Sequence, residues 1–298
     1  MNSGRINPAL PSGVAVDLGG TKIAAARVTD GRVGPLVRVE TDGAGGADQQ
    51  VAAICGLLEE LKLRPDEPVG VALAGRVSRD GVWHAVNTDT LSGVTAVPMK
   101  ALMSEKLNRD VTVENDATAA AVGEHLCGAG QGITSFGFIT VSTGVGGGIV
   151  LSGRPLISDN GLAGHIGFST SRIATEQCGS GRDSTVESLA GGRAIAALAS
   201  KAGHPNMDAK AVFEAHLDGQ AWATRLIEQS AQAIAELCAN LTSILGLQRI
   251  ALGGSIGLAP GYLDLVRTEL AKEPELFRPD VVPTQLGANS AFVGILAR

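Results

Sequence analysis

A two-domain α/β fold is what this sequence predicts, and three observations carry that expectation. The chain has 298 residues, room for two cores of ordinary size. An apolar strand running into a small-residue loop and back out as a second strand occurs twice, once in each half. The first copy is Val14-Ala15-Val16-Asp17-Leu18-Gly19-Gly20-Thr21-Lys22-Ile23; the second is Phe136 to Val141, then Ser142-Thr143-Gly144-Val145-Gly146-Gly147-Gly148, then Ile149-Val150-Leu151. Between and beyond the two copies, short apolar runs alternate with longer stretches of helical period.

Taken in order, Val14–Leu18, Ile23–Val28 and Arg32–Glu40 read as three strands, with Asp30-Gly31 as a hairpin turn because glycine tolerates positive φ. Asp48 caps a helix whose Val51, Ile54, Leu57, Leu58 and Leu61 share one face. Val69–Ala74 and Val111–Val113 are strands, and Asp116 opens a small-residue helix to about Leu126. After the second glycine loop, helices are expected over Val186–Ser200, Ala209–His216 and Gln220–Leu245. Gln248–Leu252 is a strand ending in Gly253-Gly254, Pro260-Gly261 leads into a helix to about Lys272, and Ala288–Ala297 closes the chain as a helix.

Composition narrows the function. The net charge of −6 argues against a general nucleic-acid binder, which needs a basic surface, but local N–H groups, a lysine and a metal suffice for a nucleotide's phosphates. The four cysteines, Cys55, Cys127, Cys178 and Cys238, are scattered without paired spacing, which favours reduced thiols over a disulfide framework. Residues 1–12 contain no apolar core of signal-peptide length, and no run approaches the ~20 apolar residues of a membrane span. The expectation is a soluble cytoplasmic protein with a short loose N-terminus, acting on small molecules and on neither nucleic acid nor membrane.

A lone Gly-Gly-Thr-Lys is equally a plain hairpin. The dinucleotide fingerprint and the P-loop both feed a helix, whereas both loops here feed strands, so those two nucleotide motifs fail on context. A strand–loop–strand phosphate clamp present twice is the arrangement of the actin-like ATPase (ribonuclease H-like) fold, with two domains and a central cleft.

Four segments then resemble the successive motifs of the ROK family of repressors and sugar kinases. They are Asp17-Leu18-Gly19-Gly20-Thr21-Lys22, Glu114-Asn115-Asp116-Ala117, Ser142 to Gly148, and Leu162-Ala163-Gly164-His165-Ile166-Gly167. The likeness runs from about residue 14 to the C-terminus, in order. Within the family, Phe138–Gly148, Gly161–Gly167 and Gly253-Gly254-Ser255-Ile256-Gly257-Leu258-Ala259 are most similar to the N-acetylmannosamine kinases. His165 matters most, since glucokinases of the family carry Glu there.

The resemblance implies an ATP-dependent kinase acting on the 6-hydroxyl of N-acetylmannosamine in sialic acid breakdown, with a glucokinase or another N-acetylhexosamine kinase as the alternative. It implies an N-terminal domain over 13–117, onto which the last helix (288–298) packs back, and a C-terminal domain over 118–287. Locally, Asp116 reads as a plain helix N-cap, a carboxylate favoured by nearby N–H groups; the resemblance makes it the base that takes the hydroxyl proton. Asp17, which could otherwise be a turn residue, becomes the Mg²⁺ partner, through water. Gly19, Gly20, Thr21 and Lys22 from one domain, and Thr143, Gly144 and Gly146 from the other, are implied to hold the phosphates, with Gly253 and Gly254 against adenosine. The implied hexose pocket comprises Gly75, Arg76, Asn87, Thr88, Asn115, Asp116, His165 and Glu187. For Arg76 and Glu187 an ordinary solvated charge is the competing reading.

One family feature is missing. Members hold a structural zinc with a His after the Ile-Gly segment and three cysteines, but here Phe168 stands at the His place. Cys178 is retained, while Ser180 and Thr185 replace the other two thiols. One thiol cannot supply a tetrahedral N/S set, so no zinc is expected, and the loop Ser169–Ser184 must be ordered by packing and hydrogen bonds or await the sugar. Phe168 also removes a family sugar contact. A non-catalytic sugar sensor would need an added DNA-binding segment, for which a first motif near residue 14 leaves no room, and a pseudokinase would lose Asp17 or Asp116. By family analogy the chain is a homodimer.

Overall fold

The computed structural model describes residue 6 and residues 9–86 and 91–297. Strands β1 (Gly13–Leu18), β2 (Lys22–Thr29), β3 (Arg32–Val33) and β4 (Val37–Glu40) lead into helix α1 (Ala47–Glu60). Then come β5 (Val69–Leu73), the β6 (Arg76–Val77) and β7 (Trp83–His84) hairpin, α2 (Met99–Leu107), β8 (Val111–Asn115) and α3 (Asp116–Cys127). They are followed by β9 (Ser135–Val141), β10 (Val145–Leu151), β11 (Arg154–Pro155), α4 (Glu187–Ala190), α5 (Gly192–Lys201), α6 (Ala209–Leu217) and α7 (Ala221–Leu245). The chain ends through β12 (Arg249–Gly253), α8 (Gly254–Gly257), α9 (Tyr262–Leu270), β13 (Asp280–Pro283) and α10 (Ser290–Ile295).

Two compact units result. The first runs to Gly132 and includes Gly148–Gly164 and the segment from Ala288 onward; the second comprises Ile133–Gly147 and His165–Gly287. The expected boundary at 117/118 therefore falls inside the first unit. The reason is packing: α3 lies backbone-to-backbone on α10, so close that a Cβ on Gly123 would come 2.1 Å from the Ser290 carbonyl oxygen and one on Gly294 1.8 Å from that of Ala119. Only glycine permits this approach. Ser290 Oγ also donates to the buried Glu124 Oε1 across the pair (2.8 Å).

In the first unit the sheet order is β3-β2-β1-β5-β8, with β4 also paired to β2. β1, β5 and β8 are parallel, in a register that aligns Leu18 with Leu73 and Leu73 with Asn115. Strands buried on both faces must be apolar throughout, and Val14, Val16, Leu18, Val71 and Leu73 form the core with Ile54, Leu58, Trp83 and Met103. The register also brings the carboxyl ends of three strands, Asp17, Ala74-Gly75 and Asn115-Asp116, to one end of the sheet, where open α/β sheets bind ligands.

In the second unit β10, β9, β12 and β13 lie in that order, the far half of β10 and β11 belonging to the first unit. β9, β12 and β13 are parallel, with Phe138 beside Ala251 and Thr140 beside Gly253. The loops after β9 and β12, both glycine-containing, consequently emerge at the same end. Helix α7 packs with α4, α5, α6 and α9 around Ile195, Ile227, Ile234 and Tyr262, all fully buried.

Several elements differ from expectation. Arg32–Glu40 is two short strands, because Pro35 has no N–H to give a ladder and Gly34 N–H turns back to the Arg27 carbonyl (2.9 Å). Helix α1 has Gly46 at its N-cap, with Asp48 inside the first turn. Val186–Ser200 is not one helix but α4 and α5, broken at Gly191, whose extended backbone (φ −68°, ψ 147°) caps α5. Strand β10 begins at Val145, so Gly146, Gly147 and Gly148 belong to a strand and the loop itself is only Ser142-Thr143-Gly144. The glycines there serve packing: a Cβ on Gly147 would stand 2.2 Å from Ile166 Cδ1, and one on Gly148 2.6 Å from the Ala117 carbonyl. Helices α2 and α8 and strands β6, β7, β11 and β13 come in addition to the elements expected from sequence.

Candidate active site

In the first unit the site forms where β1, β5 and β8 end. Asn115, the last residue of β8, is the N-cap of α3, its Oδ1 accepting the Thr118 N–H at 2.9 Å. The cap role that local sequence offered to Asp116 thus belongs to Asn115. The Asn115 amide also donates to the Gly75 carbonyl (2.9 Å) and to Asp116 Oδ1 (2.8 Å), tying the β5–β6 turn to the base candidate. Trp83 Nε1 holds the same turn by donating to the Ala74 carbonyl (2.8 Å). Gly75 has φ +106°, and a Cβ there would lie 2.6 Å from the His84 carbonyl oxygen, so the turn demands glycine.

Asp116 receives the Ala117 N–H on Oδ1 (2.8 Å). Its pKa is nonetheless pushed up from 3.8 to about 7, by burial first and by the charge of Asp17 second. Asp17, near the end of β1, is itself raised to about 6 by burial, partly offset by Lys22. A carboxyl kept protonated up to near neutral pH by burial and by a second carboxylate suits a proton acceptor beside a hard divalent cation.

The β1–β2 turn carries Gly19, Gly20, Thr21 and Lys22. Gly19 N–H donates to the Lys22 carbonyl (3.0 Å), and Thr41 closes the turn from outside, Oγ1 to the Gly19 carbonyl (2.8 Å) and N–H to that of Thr21 (3.1 Å). Thr21 and Lys22 are exposed. Arg76, on β6, donates through Nη1 to the Asn160 carbonyl, so its guanidinium is partly committed within the unit. Asn87 and Thr88 lie outside the described residues.

In the second unit the Ser142-Thr143-Gly144 loop is gripped from behind. Ser142 N–H donates to the Gly144 carbonyl (2.9 Å), Gly192 N–H to that of Ser142 (2.7 Å) and Arg193 N–H to that of Thr143 (3.2 Å). With its carbonyls and the Ser142 N–H engaged, the loop is left with the Thr143 and Gly144 amides and the exposed Thr143 hydroxyl, a donor set fit for phosphate oxygens. Glu187, opening α4, accepts the Val145 N–H on Oε2 (3.0 Å); burial raises its pKa, while that bond and Arg193 oppose the rise. Gly254, with φ +87°, would set a Cβ 2.3 Å from the Val141 carbonyl oxygen, so β12 turns into α8 hard against the end of β9. Ser142 and Ser255 hydroxyls bond at 3.1 Å across the two loops. His165 precedes a single 3₁₀ turn and stacks on Phe168 at 5.9 Å between centroids.

The ROK family profile matches residues 13–297. The chain belongs to the ROK family. It is 38% identical to an N-acetylmannosamine kinase of Haemophilus influenzae, covering 94% of this chain and 93% of that one, and 38% identical to one of Pasteurella multocida, covering 94% of each. Among solved structures it is similar to a ROK hexokinase from Thermus thermophilus (33% identity, TM-score 0.82, 95% of this chain and 96% of that one). It is also similar to a ROK glucokinase from Streptomyces griseus solved with glucose and AMPPNP (28% identity, TM-score 0.81, 96% and 98%). The fold is the actin-like ATPase fold expected from the paired loops.

The zinc that the ROK resemblance brings with it does not fit these residues. At the four corresponding places Phe168 has no donor atom, and Thr185 is fully buried, its Oγ1 accepting the Ser188 N–H (3.2 Å). Cys178 Sγ and Ser180 Oγ bond to each other at 3.0 Å. Among the described residues no group of three or more His, Cys, Asp or Glu side chains is placed to hold a metal ion. No helix of these residues is long and apolar enough to cross a membrane.

Sequence reasoning missed the residues that hold the ROK loops from behind. Gly191-Gly192 inside a helical run is a breaker signal that marks the α4–α5 break. Thr41 and Trp83 carry no sequence signal, since their partners are backbone carbonyls brought near only by folding.

Proposed function

We propose that this chain is an ATP-dependent N-acetylmannosamine kinase, transferring the γ-phosphoryl group to the sugar 6-hydroxyl in sialic acid breakdown. Asp116 carries the reading: a carboxylate at the end of a parallel strand, held by Asn115 and Ala117 and raised to about 7, is poised to take a hydroxyl proton at neutral pH. Support for the substrate comes from the two kinases of that name at 38% identity over nearly the whole chain. Gly75, Arg76, Asn115, His165 and Glu187 are assigned to the sugar; Asn87 and Thr88 are assigned there from sequence alone. Gly19, Gly20, Thr21, Lys22, Thr143, Gly144 and Gly146 are assigned to the phosphates, and Gly253 and Gly254 to the nucleoside.

Phosphoryl transfer needs little beyond positioning and charge neutralisation. Mg²⁺, when bound, would neutralise phosphate charge, and Asp17 is the residue to hold it. Asp116 orients the hydroxyl oxygen and accepts its proton as the phosphorus–oxygen bond forms and ADP leaves. We assign the protein to the cytoplasm, as a homodimer; four free cysteines among the described residues accord with a reducing compartment.

The test is ADP release across a panel of hexoses. N-acetylmannosamine should give the highest kcat/KM, and Asp116→Asn should abolish most turnover. Absence of turnover with every hexose, or an unimpaired Asp116→Asn variant, would sink the kinase reading. A higher kcat/KM for glucose would overturn only the substrate, in favour of the activity named for the Streptomyces griseus neighbour.

A further inference from the structure

We infer that Glu236 is a positioning residue: it anchors the Ser169–Thr185 loop to α7 without a metal ion, and so sets the placement of His165 and Glu187. The inference rests on the kinase reading only for what the loop serves; the anchoring stands on contacts within the second unit.

Glu236 lies midway along α7, its side chain only 13% exposed. Oε2 accepts the Ser171 hydroxyl at 2.6 Å, and the carboxylate receives the Arg172 N–H at 3.2 and 3.3 Å. Arg172 returns its own charge to the same carboxylate at 3.4 Å and reaches Glu273 at 3.5 Å. One acidic side chain thus takes a hydroxyl, an amide and a guanidinium from two consecutive loop residues, and bonds to a charged acceptor are stronger than neutral ones.

The rest of the loop is joined to that anchor by backbone bonds. Ser171 N–H donates to the Ser184 carbonyl (3.0 Å), Ser184 N–H to that of Glu176 (2.8 Å), and Cys178 N–H to that of Arg182 (2.9 Å). A second tether is the Glu176–Lys201 ion pair, from the loop to the last turn of α5. At the base, Val186 N–H donates to the Ser169 carbonyl (2.9 Å), and Thr170 bridges Thr185. His165 enters this base from one side and Glu187 leaves it from the other. A shift of the loop at Ser171 therefore moves both feet together, and with them the two side chains assigned to the sugar from this unit.

This places the ordering contact on α7, away from the four positions where the family's metal would sit. Those four are otherwise occupied: Phe168 stacks on His165, Thr185 Oγ1 accepts the Ser188 N–H, and Cys178 and Ser180 bond to each other. The loop needs no zinc because a largely enclosed carboxylate gathers its segments instead.

Arg172 and Arg182 stand in the loop as exposed tryptic sites, giving a readout independent of turnover. Limited trypsinolysis of the purified full chain, with and without 1,10-phenanthroline, is compared for wild type, Glu236→Ala and Glu236→Gln, with zinc measured in each preparation. Wild type should contain no stoichiometric zinc and be cleaved at an unchanged rate with the chelator. Glu236→Ala should be cleaved at Arg172 and Arg182 roughly tenfold faster, the scale of a lost charged, buried hydrogen-bond anchor, and Glu236→Gln, which keeps an acceptor for Ser171, should restore most of the protection. In steady-state kinetics the sugar KM should rise in Glu236→Ala by more than the ATP KM, because the loop carries both His165 and Glu187 whereas only Glu187 holds the strand leaving the phosphate loop. Stoichiometric zinc, chelator-dependent cleavage, wild-type protection in Glu236→Ala, or an equal rise in both KM values would each overturn the proposal. If Glu236→Ala does not fold, Lys201→Ala, which cuts the second tether, should accelerate cleavage at Arg182, and unchanged cleavage there refutes the tethered-loop account. A chain that phosphorylates no hexose would leave the cleavage and zinc results standing, which separates failure of the function from failure of the anchor.

Discussion

The Val145 amide donates to Glu187 Oε2 at 3.0 Å, so a residue assigned to the sugar also holds the first residue of the strand that leaves the phosphate loop. A Cβ on Gly144, next in line, would stand 2.5 Å from that same oxygen and would have to displace the Glu187 carboxylate. Glu187→Ala should therefore raise the KM for ATP as well as for the sugar. Thermal melting should report a loss of ~1–3 kcal/mol for the unpaired buried amide. Glu187→Gln, which retains an acceptor, should spare the ATP KM and weaken only the sugar. Equal effects of Gln and Ala on ATP would remove the bond's role.

Asp116→Asn keeps shape and hydrogen-bonding capacity while removing basicity. It should lower kcat by about 10²–10⁴-fold, the usual span for a general base, with sugar affinity by calorimetry nearly unchanged. A parallel collapse of affinity would recast Asp116 as a binding group alone.

Because burial and Asp17 hold the Asp116 carboxyl near 7, kcat/KM should rise with pH through about that value as the base loses its proton. Asp17→Asn removes one cause and should move this acid limb to lower pH in whatever turnover remains. For stability the sign is fixed by linkage. A carboxyl raised above its unfolded pKa favours the fold fully below about 4 and loses that contribution as pH climbs through about 7. Asp17→Asn should accordingly raise the melting temperature more at about pH 8 than at about pH 5, and a pH-independent change would contradict the coupling.

Helix α10 is locked to α3 by glycines rather than by side chains. Gly123→Ala drives a methyl to within 2.1 Å of the Ser290 carbonyl oxygen, and the neighbour is backbone that cannot rotate aside. A loss of about 1–3 kcal/mol, the range for overpacking, should appear in chemical denaturation. Gly56→Ala serves as the control: it sits exposed inside α1, no atom lies within 4 Å of its added Cβ, and alanine is the better helix former there. If the two variants lose equal stability, close packing is not what Gly123 provides.

Much of this was legible before folding, and the boundary of legibility is physical. Strand–loop–strand order, the family and the candidates Asp17, Asp116 and Glu187 follow from local runs and short motifs. The split of Arg32–Glu40 was readable from Pro35, and the α4–α5 break from Gly191-Gly192. The role of Gly146–Gly148 was not, because a glycine run looks alike whether it opens a loop or lets Ile166 and α3 close in on a strand.

The sequence by itself determined which elements form, in what order, and that carboxylates and glycine turns would stand at strand ends, since those choices depend on near neighbours and on period. Only the tertiary structure decided that Asn115, and not Asp116, caps α3, that α3 belongs with α10 in the first unit, and that Glu236 gathers a loop some 65 residues before it. The first turns on where β8 ends, which its pairing with β5 decides by carrying the strand through Asn115; the other two are competitions for close contacts or hydrogen-bond partners between segments far apart in the chain, which no short stretch of sequence contains.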